Sequence, residues 1–155
     1  MRAVVYDRYG PPDVLRIENL PKPTPTARQV LVKIAATSVN LSDWETLRGS
    51  PLYSRIGGLR SPARRTLGSD IAGWVDAVGP AVTRFRPGDE VYGDNLMLKG
   101  GFAEYAIAPE SVLARKPAAP TFAQASAIPQ GTDSAGAGQR VLINGAGGWS
   151  MSSSG

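Results

Sequence analysis

The side chains able to do chemistry in this sequence are few, because histidine and cysteine are both absent. Without imidazole or thiolate there is no Ser–His or Cys–His nucleophile, no disulfide, and no zinc site built from nitrogen and sulfur ligands. What remains is carboxylates, hydrogen-bond donors and glycine-rich turns, concentrated in three places. In SVNLSD, Asn40 closes an alternating strand, where asparagine is a common turn residue. Asp43 follows Ser42 at the start of a helix, where a carboxylate favours the N-terminus by about 0.3–1 kcal/mol. In LYSR, the phenol of Tyr53 can donate a hydrogen bond or stack on a ring, or it is an ordinary loop aromatic. In RVLINGAGG an apolar strand runs into Gly145, Gly147 and Gly148, the way a dinucleotide-binding domain begins. The G-x-G-x-x-G fingerprint needs its glycines for the tight turn, for pyrophosphate approach and for helix packing. From Gly145 that spacing reaches Gly147 and then Ser150, so the third glycine is missing. WSMSSSG has no helical periodicity that would supply a helix N-terminus for phosphate.

The elements that must position these residues are mostly short strands. RAVVY (2–6) and VLRIEN (14–19) alternate around the turn signal YGPPD and read as a hairpin. LPKPTPTARQ (20–29) is extended and Pro-rich. VLVKIAATSVN (30–40) is a strand that delivers Asn40. SDWETLRG (42–49) is a short helix with an S-x-x-E capping box from Ser42 and Glu45 and a stop at Gly49. Residues 50–68 form a loop that carries Tyr53. DIAGWVDAVG (70–79) is a strand whose internal Gly73 signals a bulge or a close backbone approach. Short strands follow within 84–94, 102–109 and 111–117, and TFAQASAI (121–128) is a second short helix capped by Thr121 and Gln124. RVLIN (140–144) is a last, wholly apolar strand of the kind buried on both faces of a parallel sheet. Many short strands with glycine-rich turns predict a mainly β barrel or sandwich.

Length and composition set the outer bounds. The 155 residues make one domain, or one domain plus a remnant. A hydrophobic share of 42% and a charged share of 19% fit a globular chain. No apolar run approaches the roughly 20 residues of a bilayer span, and MRAVVYDRYGPP has no signal-peptide core. A cytoplasmic location with no membrane partner is expected. The net charge of +4 is mild. The arginines of RIGGLRSPARR (55–65) are broken up by Gly and Pro with no aromatic among them, so a solvated loop is expected rather than a nucleic-acid surface.

The ordered blocks SVNLSDWETLRG, LGSDIAGWVDAVGPAVTRFRPGDEVYGD, GGFAEYAIAPESVLARKP and GQRVLINGAGG resemble the N-terminal half of medium-chain dehydrogenases/reductases. The similarity is to the zinc-independent quinone-oxidoreductase (zeta-crystallin-like) branch. The resemblance implies a GroES-like, partly open β-barrel as catalytic domain over 1–128. Residues 129–155 would be a shortened junction, the first strand of an incomplete Rossmann domain and a flexible tail. It implies hydride transfer from NADPH to a quinone, an enone or a similar carbonyl acceptor. It also implies that Asn40 lines the nicotinamide and substrate pocket, with its amide as a donor, that Asp43 belongs to the same block and that Tyr53 is the pocket tyrosine. Gly145, Gly147 and Gly148 would be the cofactor glycines, although the family spacing G-x-x-G-x-x-G ends here on Met151. Zinc-dependent relatives carry cysteine where this chain has Asn40 and a His-Glu pair where it has Ser69-Asp70, so no metal is expected. Glu45 stands where many relatives have a second tyrosine.

The departures define the expectations to be tested. Pro129-Gln130 passes straight into GTDSAGAGQ, which looks like a deletion in the helix linking the two domains. The chain is therefore expected to be a truncated portion of such an enzyme, inactive alone. Two alternatives stand beside it: an enoyl reductase of the same superfamily, and a non-catalytic barrel that self-associates. RVLIN has no partner strands in the chain, so a homodimer through 139–145 is expected.

Overall fold

The computed structural model describes residues 1–55 and 58–129. The strand expected at 140–144, the glycines 145, 147 and 148, and the dimerisation strand 139–145 lie outside the described residues.

Seven strands form two antiparallel sheets. β1 (Arg2–Val5) and β2 (Arg16–Asn19) make a two-stranded ribbon joined by a 3₁₀ turn at Pro12–Val14. The other five are β3 (Gln29–Thr37), β4 (Asp70–Val78), β5 (Glu90–Asp94), β6 (Tyr105–Pro109) and β7 (Leu113–Arg115). They lie in the spatial order β6-β3-β4-β5-β7. Single bridges from Ala3 to Ala103 and from Val5 to Thr66 tie the ribbon to the rest. The result is mainly β and does not close into a complete barrel, as expected for a GroES-like fold. Two short helices complete it, α1 (Leu41–Arg48) and α2 (Phe122–Ser126).

Alternation decides the pleat. In β5 and β6 every second residue is buried, so Val91, Ala106 and Ala108 point inward. They pack with Val30, Val32, Ile71, Val75, Phe85 and Leu113 in an all-apolar core. Each such valine or leucine contributes about 1.5–3 kcal/mol on burial. β3 and β4 carry bulges, with Asp76 the extra residue on β4 and Ala35 the extra residue on β3. Gly73 faces the second bulge. A Cβ there would sit 2.0 Å from the Lys33 carbonyl oxygen, so the close approach read from the sequence is what requires glycine.

Three expectations are corrected. The strand expected over 111–117 is only Leu113–Arg115, because Glu110–Val112 turns as 3₁₀ helix first. The loop over 50–68 contains a 3₁₀ turn at Leu52–Arg55. The cap of α1 is not Ser42 with Glu45. Asn40 precedes the helix in extended backbone, and the Asp43 carboxylate accepts from the Asn40 N–H at 3.1 Å. Ser42 lies inside the helix, where its carbonyl accepts from the Thr46 hydroxyl. Gly49 ends α1 in the left-handed conformation, φ 61°, as expected of a C-terminal glycine. α2 has the cap expected of it: the Gln124 N–H reaches Thr121 Oγ1 at 3.2 Å, and Gln124 Oε1 accepts from the Thr121 N–H at 2.9 Å.

Candidate functional site

The site is built where β3 leaves the sheet, α1 starts and β4 enters. Thr37 donates to the Asp70 carbonyl at 2.6 Å, which fixes the end of β3 against the start of β4. Ser38 Oγ and Asn40 Nδ2 then donate to Asp70 Oδ2 at 3.1 and 3.0 Å, and Asn40 Nδ2 also donates to Ser38 Oγ at 3.2 Å. The two amide protons of Asn40 are both engaged inside this triangle. Asp70 is 1% exposed, and its carboxylate holds the strand-to-helix turn in shape.

Asp43 is the second centre. It is 2% exposed. Its Oδ2 accepts from Asn40, while its Oδ1 accepts from the Gly68 N–H at 3.1 Å and from Lys99 Nζ at 3.3 Å. Lys99 is 7% exposed and stands at φ 54°, a left-handed conformation that costs a side-chain-bearing residue about 1–3 kcal/mol. Asn95 holds it there. The Lys99 N–H donates to the Asn95 carbonyl at 2.6 Å, and Asn95 Nδ2 donates to the carbonyls of Lys99 at 2.7 Å and Ile107 at 2.8 Å.

Beside this pair lies a cleft of about 340 Å³, lined among others by Tyr6, Tyr9, Glu45, Tyr53, Arg64 and Lys99. Tyr53 is exposed, and its hydroxyl donates to Glu45 Oε2 at 3.0 Å. That hydrogen bond, more than desolvation or the nearby charge, raises the Tyr53 pKa above its ordinary value. Tyr6 is 1% exposed and its hydroxyl meets no hydrogen-bond partner among the described residues. Burial first, then the neighbouring Tyr9 and the Asp43 carboxylate, push its pKa far up, so the phenol stays protonated. A larger groove of about 600 Å³ runs between β1, β3 and residues 101–104. Its charged side chains, Arg2 and Glu104, are paired with each other.

Of the residues singled out from sequence, Asn40 and Asp43 are in direct contact, whereas Tyr53 bonds to Glu45 farther along α1. Tyr6, Asp70 and Lys99 were not singled out. Tyr6 reads as one more residue of an alternating strand, and Lys99 lies 56 positions from Asp43, beyond the reach of any local pattern. The residues present do not fit zinc. Asp70 is the one acidic group of the Asn40, Ser69 and Asp70 set, and its Oδ2 is already occupied by two donors. Among the described residues no group of three or more His, Cys, Asp or Glu is placed to hold a metal. No helix among them is long and apolar enough to cross a membrane.

Comparison with known proteins places this geometry. Residues 26–118 match the alcohol dehydrogenase GroES-like domain. The chain is 36% identical to the NADPH-dependent alkenal/one oxidoreductase, chloroplastic, of Arabidopsis thaliana and to the quinone oxidoreductase of Mus musculus. In each case 96% of this chain aligns, against 42% and 46% of the relative. Among solved structures it resembles the quinone oxidoreductase from Coxiella burnetii, with a TM-score of 0.75 at 30% identity over 84% of this chain and 41% of that one. It also resembles the CurK enoyl reductase, with a TM-score of 0.73 at 27% identity over 83% and 39%. The chain thus spans less than half the length of these relatives. It belongs to the alcohol dehydrogenase GroES-like domain family, and its relatives are oxidoreductases acting on small molecules.

Proposed function

We propose that this chain is the acceptor-binding, GroES-like portion (1–128) of a zinc-free, NADPH-dependent oxidoreductase that reduces quinones, enones or similar carbonyl compounds. The observation that carries the reading is the cleft beside α1. It combines aromatic walls with nitrogen and oxygen donors, in a chain that has neither thiolate nor imidazole to hold zinc. Reduction of a conjugated carbonyl needs an enclosed face for the ring or chain of the acceptor and donors where negative charge develops on oxygen. NADPH would supply the hydride, with Gly145, Gly147 and Gly148 as its phosphate-facing residues and Asn40 beside the nicotinamide.

Each polar residue then has a task. Asn40, locked to Ser38 and Asp70, shapes the turn against which the nicotinamide would lie. Asp43 fixes Asn40 from the other side and holds Lys99. The Tyr53–Glu45 pair forms the outer lip, and because the phenol proton is directed at the carboxylate it orients an acceptor by ring contact rather than by donation.

The test is binding and turnover on the purified chain. A naphthoquinone is expected to quench its tryptophan and tyrosine fluorescence saturably, while NADPH is not consumed by a chain that spans less than half the length of its relatives. Absence of saturable quenching by quinones, enones and alkenals alike overturns the reading. The structural likeness to an enoyl reductase supports a second reading, in which an enoyl thioester outcompetes the quinone.

A further inference from the structure

The developing charge in such a site needs donors, and the donors expected from sequence are spent. Both Asn40 amide protons go to Ser38 and Asp70, and the Tyr53 proton goes to Glu45. Two other groups on the same cleft are not spent. Tyr6 Oη is buried with no hydrogen-bond partner among the described residues. Such a group destabilises the fold unless something meets it. Lys99 Nζ carries three protons and gives one to Asp43. The two groups belong to one cluster, since Asp43 binds the ammonium and also acts electrostatically on the phenol.

We propose that Tyr6 Oη and Lys99 Nζ form an oxyanion-binding pair at the floor of this cleft, and that its ligand is a planar ring or conjugated chain bearing a carbonyl or phenolate-type oxygen. The chemistry of this floor favours an oxygen acceptor over a cation. The floor offers a phenol held in its protonated, donating form and an ammonium, and the Asp43 carboxylate behind them is already taken by three donors. The aromatic walls of Tyr9 and Tyr53 suit a flat ligand. The strained backbone of Lys99, pinned by Asn95, keeps the ammonium in place without a ligand. This deepens the proposed function by naming the groups that meet the acceptor oxygen. Its test uses neither NADPH nor turnover, so the two stand or fall separately.

The probe is 4-nitrophenolate, compared with 4-nitroanisole, which has the same ring and no charged oxygen. Binding is followed by the absorbance shift of the phenolate and by fluorescence quenching with the ether. The phenolate is expected to bind at least tenfold tighter than the ether. Tyr6→Phe is expected to lower phenolate affinity by about tenfold or more, the loss of one hydrogen bond to a charged oxygen. The same variant should leave thermal stability unchanged or raised, because it deletes a buried hydroxyl without an internal partner. Lys99→Met alone strands the Asp43 charge, so it is made together with Asp43→Asn. That double variant should lose affinity to a similar extent. Equal affinity for phenolate and ether, or a Tyr6→Phe variant that binds like wild type, overturns the proposal. So does a Tyr6→Phe variant that loses stability along with binding, since the hydroxyl would then serve the fold.

Discussion

The two interiors of this molecule are built on opposite rules. The cluster inside the five-stranded sheet is apolar throughout, from Val30 and Val32 through Ile71 to Leu113. The interior between the ribbon and α1 mixes Tyr6, Leu47 and Leu67 with buried Asp43, Asp70, Asn95 and Lys99. The first tolerates apolar side chains of suitable total volume. The second holds Asp43, Asn95 and Lys99 in place through specific partners, and the cleft beside α1 opens there. Stability and chemistry are segregated, and the boundary runs along β3 and β4, which serve both.

Substitutions can break that division or sharpen it. The largest effect is expected at the boundary. Gly73→Ala drives a methyl into the Lys33 carbonyl, and separating β3 from β4 should leave no cooperative unfolding transition in calorimetry. Next is Lys99→Met, which leaves Asp43 buried without its counter-charge. Such losses run to about 3–5 kcal/mol, and Asp43→Asn on that background should recover much of it in urea unfolding. If the single variant instead unfolds like wild type, the polar interior is not held by its partners. A smaller effect is expected at Glu110, whose carboxylate accepts from the backbone of Thr83 and Arg84. The hydrogen bond from Arg84 is the main cause that lowers its pKa. Since the folded value lies below the unfolded one, this stabilisation is present above about pH 4.3 and is lost as the pH falls through the lowered folded value. Glu110→Gln should lower stability at neutral pH and flatten the acid side of the stability profile, so that variant and wild type converge in acid. The smallest is Arg65→Ala. Arg65 bridges Asp7 and Glu18 on an exposed face, and solvent screening leaves such pairs little to contribute. Its melting temperature should match wild type in molar salt.

The apolar interior was largely legible in the sequence and the polar one was not. β3, β4, β5 and β6 announce themselves by alternation, and Gly73 by interrupting it, because the sheet period of two is a local property. The cap of α1 was misread since two templates overlap there. Ser42 with Glu45 and Asn40 with Asp43 both satisfy the spacing, and what selects the second is the burial of Asp43 against Gly68 and Lys99. Those partners arrive from distant loops. The same holds for Tyr6, whose place in an alternating strand predicts burial but says nothing of what its hydroxyl meets. The spent donors of Asn40 were equally invisible, because Asp70 is brought to it by the pairing of β3 with β4.

The strand order has a consequence for how the chain is made. β3 sits between β4 and β6, yet β6 is synthesised long after it, at 105–109. During translation, at about 5–20 residues per second, one edge of β3 waits bare for several seconds after β4 has covered the other. A nascent chain stalled before Tyr105 would present Gln29–Lys33 as an open template, so the interval between these two segments is when a growing polypeptide most needs a holding chaperone.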